Sequence, residues 1–424
     1  MASIIYNKTL DREEKFYLMQ EDARFDVLSG REACAPDFLD IKEEIRSRKT
    51  LPKVPKIFLS NECVFNCAYC GCRSGNECKQ IYQTTPRELA EFSIRVAADR
   101  GAGIFLSSAI FKTPDYTGEL INETLRILRQ EHRYTGYLHA KVMPGTSMDL
   151  IRTAGRYADR LSINIEVAKS EGYSKIAVNK NKRNILTPMG QISQLIQAAK
   201  AEKAYGSPRF ATSQTTQLMV GSTDEDDYTI LKLSGALYQK YGLSRVYYTP
   251  YSFKGPALGY GDLPFTQTPS WRVHRLYQAD KLMQVYGFTA GDVVPETARN
   301  LRQDLDPKAA WALRNLHLFP LEVNKADYEM LLKIPGIGVT YAKRIIAARR
   351  QCVLTHDGLR RLGVSLKKSK HFLTCNGKFT GNASGDSAVL YGILADVPAR
   401  ECGNQLFFDL GGVRHANVLK PLHA

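Results

Sequence analysis

Cys63-Val-Phe-Asn-Cys67-Ala-Tyr-Cys70 follows directly on Lys56-Ile-Phe-Leu-Ser60, an apolar run that reads as a strand. Three thiols spaced by four and three residues in one loop can each take one iron of a 4Fe-4S cubane. The fourth iron is then open to a small molecule. Isolated cysteines are more often small buried hydrophobes, but these three fall within one octapeptide. Zinc is the other reading, and it ordinarily takes four tetrahedral ligands from two separated pairs. No second pair follows later in the chain. Cys72 and Cys78 continue the loop at a spacing that fits no ligand framework, so they are read as bystanders.

The rest of the chain fits a cluster protein of a reducing compartment. Its 424 residues imply two or three domains, and 44% hydrophobic with 24% charged residues suits a soluble globular protein. No run approaches the ~18 apolar residues of a membrane span. Lys8, Asp11, Arg12, Glu13, Glu14 and Lys15 are unlike the apolar core of a signal peptide. A cytoplasmic location with no membrane partner is expected, and nine cysteines without a paired rhythm agree with it.

Outward from the loop, apolar runs alternate with helix-length amphipathic segments. Strands are expected at Ile57 to Leu59, Gly103 to Leu106, Tyr137 to Val142, Leu161 to Ile165, Gln217 to Val220 and Arg245 to Tyr248. Helices are expected at Pro86 to Asp99, Glu119 to Glu131, Ser147 to Tyr157, Pro188 to Ala204 and Glu225 to Tyr241. Such alternation predicts a parallel sheet covered by helices, with six units too few for a closed eight-stranded barrel. The expected organisation is a helical leader over 1–50, an α/β domain over 51–255 and a connecting helical region over 256–295. A separate all-α unit over 296–375 and a tail over 376–424 complete it.

A second motif lies in that unit. Leu331-Leu-Lys-Ile-Pro-Gly-Ile-Gly-Val-Thr-Tyr-Ala-Lys-Arg-Ile-Ile346 resembles a helix-hairpin-helix element. Glycines at Gly336 and Gly338 permit a tight turn that presents consecutive N–H groups at the next helix, where a phosphate fits. Gly336, Ile337, Gly338, Thr340, Lys343 and Arg344 are the expected nucleic-acid contacts, made to the backbone and not to base edges. The net charge of +15 favours a polyanionic partner. Between Lys343 and Lys370 many cations face Asp357 alone, and Gly358-Leu-Arg-Arg-Leu-Gly-Val364 reads as a degenerate second hairpin. A glycine-capped joint that only links helices is the plainer alternative.

The cysteine loop, with its aromatic Tyr69, resembles the signature of the radical S-adenosylmethionine (SAM) enzymes. In that family SAM chelates the free iron, and the reduced cluster cleaves it to a 5′-deoxyadenosyl radical. The resemblance implies a partial (βα)6 barrel with the cluster loop at its carboxyl-terminal face. Nearly end to end, the chain is similar to the putative DNA modification and repair radical SAM proteins, through Phe105-Leu-Ser-Ser108, Leu138-His-Ala-Lys-Val-Met-Pro-Gly145, Ala158 to Glu166, Thr216 to Gly221, Arg245 to Tyr248 and His274 to Asp280. A 4Fe-4S cluster, SAM, an external electron donor and a nucleic-acid substrate are what this implies, with DNA favoured and tRNA or rRNA the alternative. A non-catalytic iron-sulfur protein that binds nucleic acid is a third reading, and a partner protein that completes the activity is also compatible.

Within the family frame, Cys63, Cys67 and Cys70 are the cluster ligands and Tyr69 lies against SAM. The family's Gly-Gly-Glu segment is replaced by Ser107-Ser108-Ala109, so the SAM amino group must be met by serine hydroxyls or backbone carbonyls. Asn164 and Glu166 alternate along the fourth strand and are expected on one side, toward SAM; an ion pair of Glu166 with Arg160 or Lys180 is the alternative. Lys141 is a barrel-facing cation for SAM's carboxylate or a substrate phosphate. Tyr247, Arg275 and Cys375 are candidates for substrate contact or radical quenching, each weighed against ordinary packing. Asn404-Gln-Leu-Phe-Phe-Asp409 is similar to the peptide by which bacterial proteins dock on the replication sliding clamp, or else packs on its own domain.

Overall fold

The computed structural model describes residues 54–76, 81–100, 103–202, 209–251, 268–382 and 386–395. The leader over 1–50, Cys78, most of the Gly/Pro-rich connection and the clamp-like peptide lie outside the described residues.

All six expected strands are present: β1 (Lys56–Phe58), β2 (Ile104–Ser107), β3 (Leu138–Lys141), β4 (Arg160–Ser162), β5 (Ser213–Val220) and β6 (Arg245–Pro250). They form one parallel sheet in the order β1-β2-β3-β4-β5-β6, a half-barrel. In-order parallel strands require a covering crossover each time. These are supplied by α1 (Pro86–Arg100), α2 (Pro114–Arg126), α3 (Met148–Tyr157), α4 (Gly172–Ile176), α5 (Lys182–Glu202) and α6 (Asp227–Tyr241). The starts are written locally: the Thr113 side chain accepts from the Tyr116 N–H ahead of α2, and Asp226 accepts from Thr229 ahead of α6. Gly242, at φ 58°, ends α6 in the left-handed region that glycine adopts without a Cβ penalty.

Several boundaries depart from expectation: α2 opens at Pro114 and not at Glu119, and β5 at Ser213 and not at Gln217. α5 begins at Lys182, six residues before Pro188, because Asn181 and Asn184 cap each other's backbone N–H groups at 3.0 and 2.9 Å. β4 ends at Ser162, short of Ile165, and Glu166 turns into the left-handed region at φ 63°. Asn164 and Glu166 therefore do not alternate on one regular strand.

The register separates two faces. Phe105 and His139 are Cα partners and their rings stack at 3.8 Å, His139 Nε2 lies 2.8 Å from Ser162 Oγ, and the Lys56 ammonium sits 5.1 Å from the rings of Phe58 and Phe105. By alternation Ser107, Lys141 and Tyr247 share this concave face. The opposite face of β6 meets helices: Tyr248 donates to Ser234 of α6 at 2.8 Å and to Asp280 of α7 (Ser270–Val285) at 3.2 Å.

Beyond α7, α8 (Ala290–Val293) and α9 (Pro307–Arg314) lead to a helical carboxyl-terminal region with α10 (Tyr328–Lys333), α11 (Val339–Arg349), α12 (His356–Arg361) and α13 (Leu366–Ser369). This region is not purely helical as expected: β7 (Leu321–Glu322), β8 (Leu373–Cys375) and β9 (Lys378–Phe379) make a small sheet. The tail contributes β9 and a helix, α14 (Ser387–Leu394), which packs on α9.

Glu322 organises the small sheet. It accepts from Asn324 N and Nδ2 at 3.1 and 2.8 Å, Thr374 Oγ1 at 3.0 Å, Asn376 N at 3.0 Å and Gly377 N at 2.9 Å. Burial pushes its carboxyl up, but these donors outweigh it and hold the group at about 2. A depressed carboxylate contributes stability above its unfolded value and loses it as pH falls toward the folded one. We expect the protection of amides in β7 to β9, referenced to their intrinsic exchange rates, to fall as pH drops from about 4.5 toward about 2, by about 1 kcal/mol once solvent screening of this partly exposed group is allowed for. Glu322→Gln is expected to remove most of that pH dependence, and an unchanged exchange profile in the variant contradicts the assignment.

Candidate active site on the half-barrel

The cysteine loop leaves β1 at the carboxyl-terminal edge of the sheet and is pinned there by its own backbone. Val64 N–H donates to Ile110 O, Ala68 N–H to Ile176 O and Asn66 N–H to the Asn179 side chain, each at 2.9 Å. Cys70 N–H closes on Cys67 O at 3.0 Å and Arg73 N–H on Cys70 O at 3.2 Å, so the loop coils and leaves its thiols to other partners. Burial raises the Cys63 thiol and pushes Cys67 up to about 11, while a hydrogen bond with Cys72 lowers Cys70 to about 6. Among the described residues no three His, Cys, Asp or Glu side chains gather on a single ion; a cubane instead takes each thiolate on a separate iron.

Glu166 reaches the loop through Lys180. The lysine donates to Glu166 Oε1 at 2.8 Å and to the Tyr69 hydroxyl at 3.0 Å, and Glu166 is 2% exposed. Burial pushes the Glu166 carboxyl up, yet Lys180, Lys141 and Tyr69 outweigh that and hold it below the ordinary range. Burial likewise disfavours the Lys180 charge, but Glu166 and Cys67 raise the ammonium above its ordinary value. Of the partners weighed from sequence, the structure selects Lys180. Arg160 instead donates to Ser213 Oγ at 3.0 Å.

Ser107 and Ser108 run beside the loop, since Leu59 N–H donates to Ser107 O and Ala109 N–H to Ser60 O, both at 2.9 Å. The Ser108 hydroxyl is buried and has no hydrogen-bond partner among the described residues. Asn164 Nδ2 lies 3.4 Å from Gln217 Oε1. Lys141 makes no hydrogen bond or ion pair among the described residues; burial lowers its ammonium to about 8, with Glu166 opposing and Lys180 assisting.

The structure brings together Cys63, Cys67, Cys70, Tyr69, Ser107, Ser108, Lys141 and Glu166 around one end of the sheet. Tyr247 lies on the concave face, its ring 5.3 Å from the Arg245 guanidinium. Arg275 and Cys375 are not brought there. Arg275, on α7, is 5% exposed and donates to Gln278 Oε1 at 2.9 Å and to Gln303 O at 2.7 Å. Cys375 is a strand residue of the small sheet, 1% exposed, its thiol pushed up to about 12 by burial and by Glu322. Both are held by packing in their own neighbourhoods.

Sequence reasoning passed over Lys56 and His139 as site residues. Burial holds the Lys56 ammonium and the His139 imidazolium well below their ordinary values. The signal was available: Lys56 precedes Phe58 by two and His139 precedes Lys141 by two, so strand alternation puts each on the same face as its neighbour.

Residues 57–233 match the family model described as Radical SAM superfamily. No curated protein matches the chain. Similar solved structures include the FeFe-hydrogenase maturase HydG from Carboxydothermus hydrogenoformans, 14% identical with a TM-score of 0.41, over 66% of this chain and 58% of that one. The radical SAM methyltransferase TsrM from Kitasatospora setae is 14% identical with a TM-score of 0.34, over 52% of this chain and 40% of that one. The chain spans less than two thirds of the length of either.

The family implies a 4Fe-4S cluster and SAM. The residues present fit both. Three thiols on one coiled loop supply ligands to three irons. The orphaned Ser108 hydroxyl beside that loop is a buried polar group in want of a partner, which an amino acid amine or carboxylate supplies.

Proposed function

We propose that this chain, whose residues 57–233 are a radical SAM domain served by a 4Fe-4S cluster and SAM, modifies or repairs a nucleotide in DNA held by its carboxyl-terminal module. When bound, the two groups supply a carbon radical able to attack an otherwise unreactive C–H or C=C bond. Cys63, Cys67 and Cys70 would hold the cluster. Ser107, Ser108 and Asn164 would hold SAM, with Lys141 turned to its carboxylate or to a substrate phosphate. The Lys180–Glu166 pair fixes Tyr69 and with it the loop. Stacking in a duplex denies a radical access to a base or sugar, so the target nucleotide is expected to leave the helix and enter the concave face.

The observation that carries the nucleic-acid reading is a pair of basic helix–turn–helix units packed on each other. In the first, α10 and α11 flank the Pro335–Gly338 turn, where Gly336 has φ 86°. Gly336 in the turn and Thr340, Lys343 and Arg344 on α11 are exposed, the three helical residues following the i, i+3, i+4 spacing of one face. Ile337, expected from sequence as a contact, is instead spent on the turn itself: its side chain is buried, its N–H closes on Ile334 O at 3.1 Å and its carbonyl accepts from Lys308. In the second, α12 and α13 flank a turn at Gly363, φ 88°, with Arg360, Arg361 and Lys367 exposed. Arg344 donates to Leu362 O at 3.0 Å and ties one unit to the other. Phosphates meet N–H groups and cations on such a surface without base readout.

Binding tests this directly. Duplex DNA is expected to compete with folded RNA for the protein, with a steep salt dependence. The double substitution Lys343→Ala with Lys367→Ala should reduce the slope of log K against log salt by about 1.8, two phosphate contacts on a duplex. SAM cleavage in the absence of nucleic acid should be unchanged. A protein that prefers folded RNA, or a slope untouched by the double substitution, overturns the DNA assignment or the surface respectively.

A further inference from the structure

We propose that Lys308 is a positioning residue for the phosphate site of the first hairpin, holding the Ile337 carbonyl inward so that the Gly338 N–H faces a nucleic-acid phosphate. The inference rests on the nucleic-acid reading above and names a control point within it. Lys308 lies in the first turn of α9, is 9% exposed, and donates through Nζ to Ile337 O.

In a trans peptide the carbonyl and the following N–H point to opposite sides of the chain. Tying Ile337 O to a group beneath the turn therefore directs the Gly338 N–H away from it. The neighbouring amides are otherwise engaged. Ile337 N–H closes on Ile334 O at 3.1 Å, and Val339 N–H donates to the Tyr286 hydroxyl. Among the described residues no acceptor meets the Gly338 N–H. A partly exposed backbone donor at the start of an eleven-residue helix suits an anion, and the lysine adds a positive charge on the inner side of the turn.

The choice of lysine is itself informative. An ammonium carries three donors, and burying it is costly unless the charge is compensated. Around Lys308 stand the Tyr286 ring at 4.9 Å and Asp306, whose carboxylate also faces Lys368 at 3.6 Å; Lys333 lies farther along, over the Trp311 ring. Lys308 shares the Asp306 carboxylate with Lys368, and an external phosphate would add countercharge to it. Burial lowers the Lys308 ammonium to about 7, with Asp306 opposing. A phosphate overhead favours the charged form, so binding takes up a proton. His356 and His371 of the same region are both lowered from the ordinary imidazole value by burial, away from the upper part of the pH range in which Lys308 titrates.

The test uses full-length protein with its cluster reconstituted and a labelled DNA duplex, at constant salt, from about pH 6 to about pH 9. Wild-type affinity should fall by up to about tenfold as pH rises, the equivalent of one pKa unit. Lys308→Arg should keep the affinity and flatten the profile. Lys308→Met should lose about tenfold at the acid end and also be flat. Basal SAM cleavage should be the same in all three. A purely structural lysine would change melting temperature without changing the pH slope. Should the methionine variant misfold, the arginine variant still decides, because a retained slope in it overturns the proposal. Wild-type binding with no pH slope overturns the role of Lys308 alone, whereas wild-type protein that binds neither DNA nor RNA overturns the nucleic-acid reading.

Discussion

Replacing any one of Cys63, Cys67 and Cys70 by alanine is expected to abolish reductive SAM cleavage and to leave protein with little or no intact 4Fe-4S cluster. Even loss of an outer-sphere partner commonly costs 10- to 100-fold in metal affinity or activity, so direct ligand loss should exceed about 100-fold. The three thiols are not interchangeable with Cys72, which is buried and hydrogen-bonded to Cys70. Cys72→Ala is therefore expected to retain a cluster. Iron and sulfide content, low-temperature EPR of the reduced protein and 5′-deoxyadenosine yield read the outcome. A Cys67→Ala protein that keeps four irons and cleaves SAM at the wild-type rate would falsify the assignment of the loop.

The largest effect on stability is expected at Lys180. Removing one partner of a buried ion pair leaves the other charge uncompensated, at about 3–5 kcal/mol. In Lys180→Met the Glu166 carboxylate, 2% exposed and at a left-handed backbone position, loses its closest cation. Tyr69 loses the hydrogen bond from Lys180 at the same time and keeps only the one to Glu166, so the cysteine loop should loosen and bind its cluster less tightly. The double substitution Lys180→Met with Glu166→Gln removes the stranded charge and should recover much of the stability, though not the anchoring of Tyr69. Chemical denaturation of the four proteins gives the coupling. If the single variant costs no more than the double one, the pair is not holding the loop.

The strand pattern was legible where the run is apolar, as in the wholly buried β2, whereas β5 opens on the polar Ser213-Gln-Thr-Thr216 and so begins four residues ahead of the expected Gln217. Ends were less legible. The helix start was placed at Pro188, which often opens a helix, whereas the reciprocal Asn181 and Asn184 caps open α5 earlier. The small sheet was missed because strands of two and three residues carry no periodicity; it depends on Glu322 collecting donors from Asn324 and from the distant Thr374, Asn376 and Gly377. Arg275 and Cys375 were misleading for one shared reason. Residue type suggests chemistry, but only packing reveals that a guanidinium is spent on Gln303 O or that a thiol belongs to another sheet.

The sequence by itself determined the spacing of three thiols, the alternation that makes a six-stranded parallel sheet and the glycines of the hairpin turn, since each depends on residues near one another in the chain. Tertiary structure alone decided which cation meets Glu166, that Phe105 stacks on His139, and that Lys308 lies under Ile337. Those contacts join segments far apart in sequence, and their energies depend on burial, which no local spacing encodes.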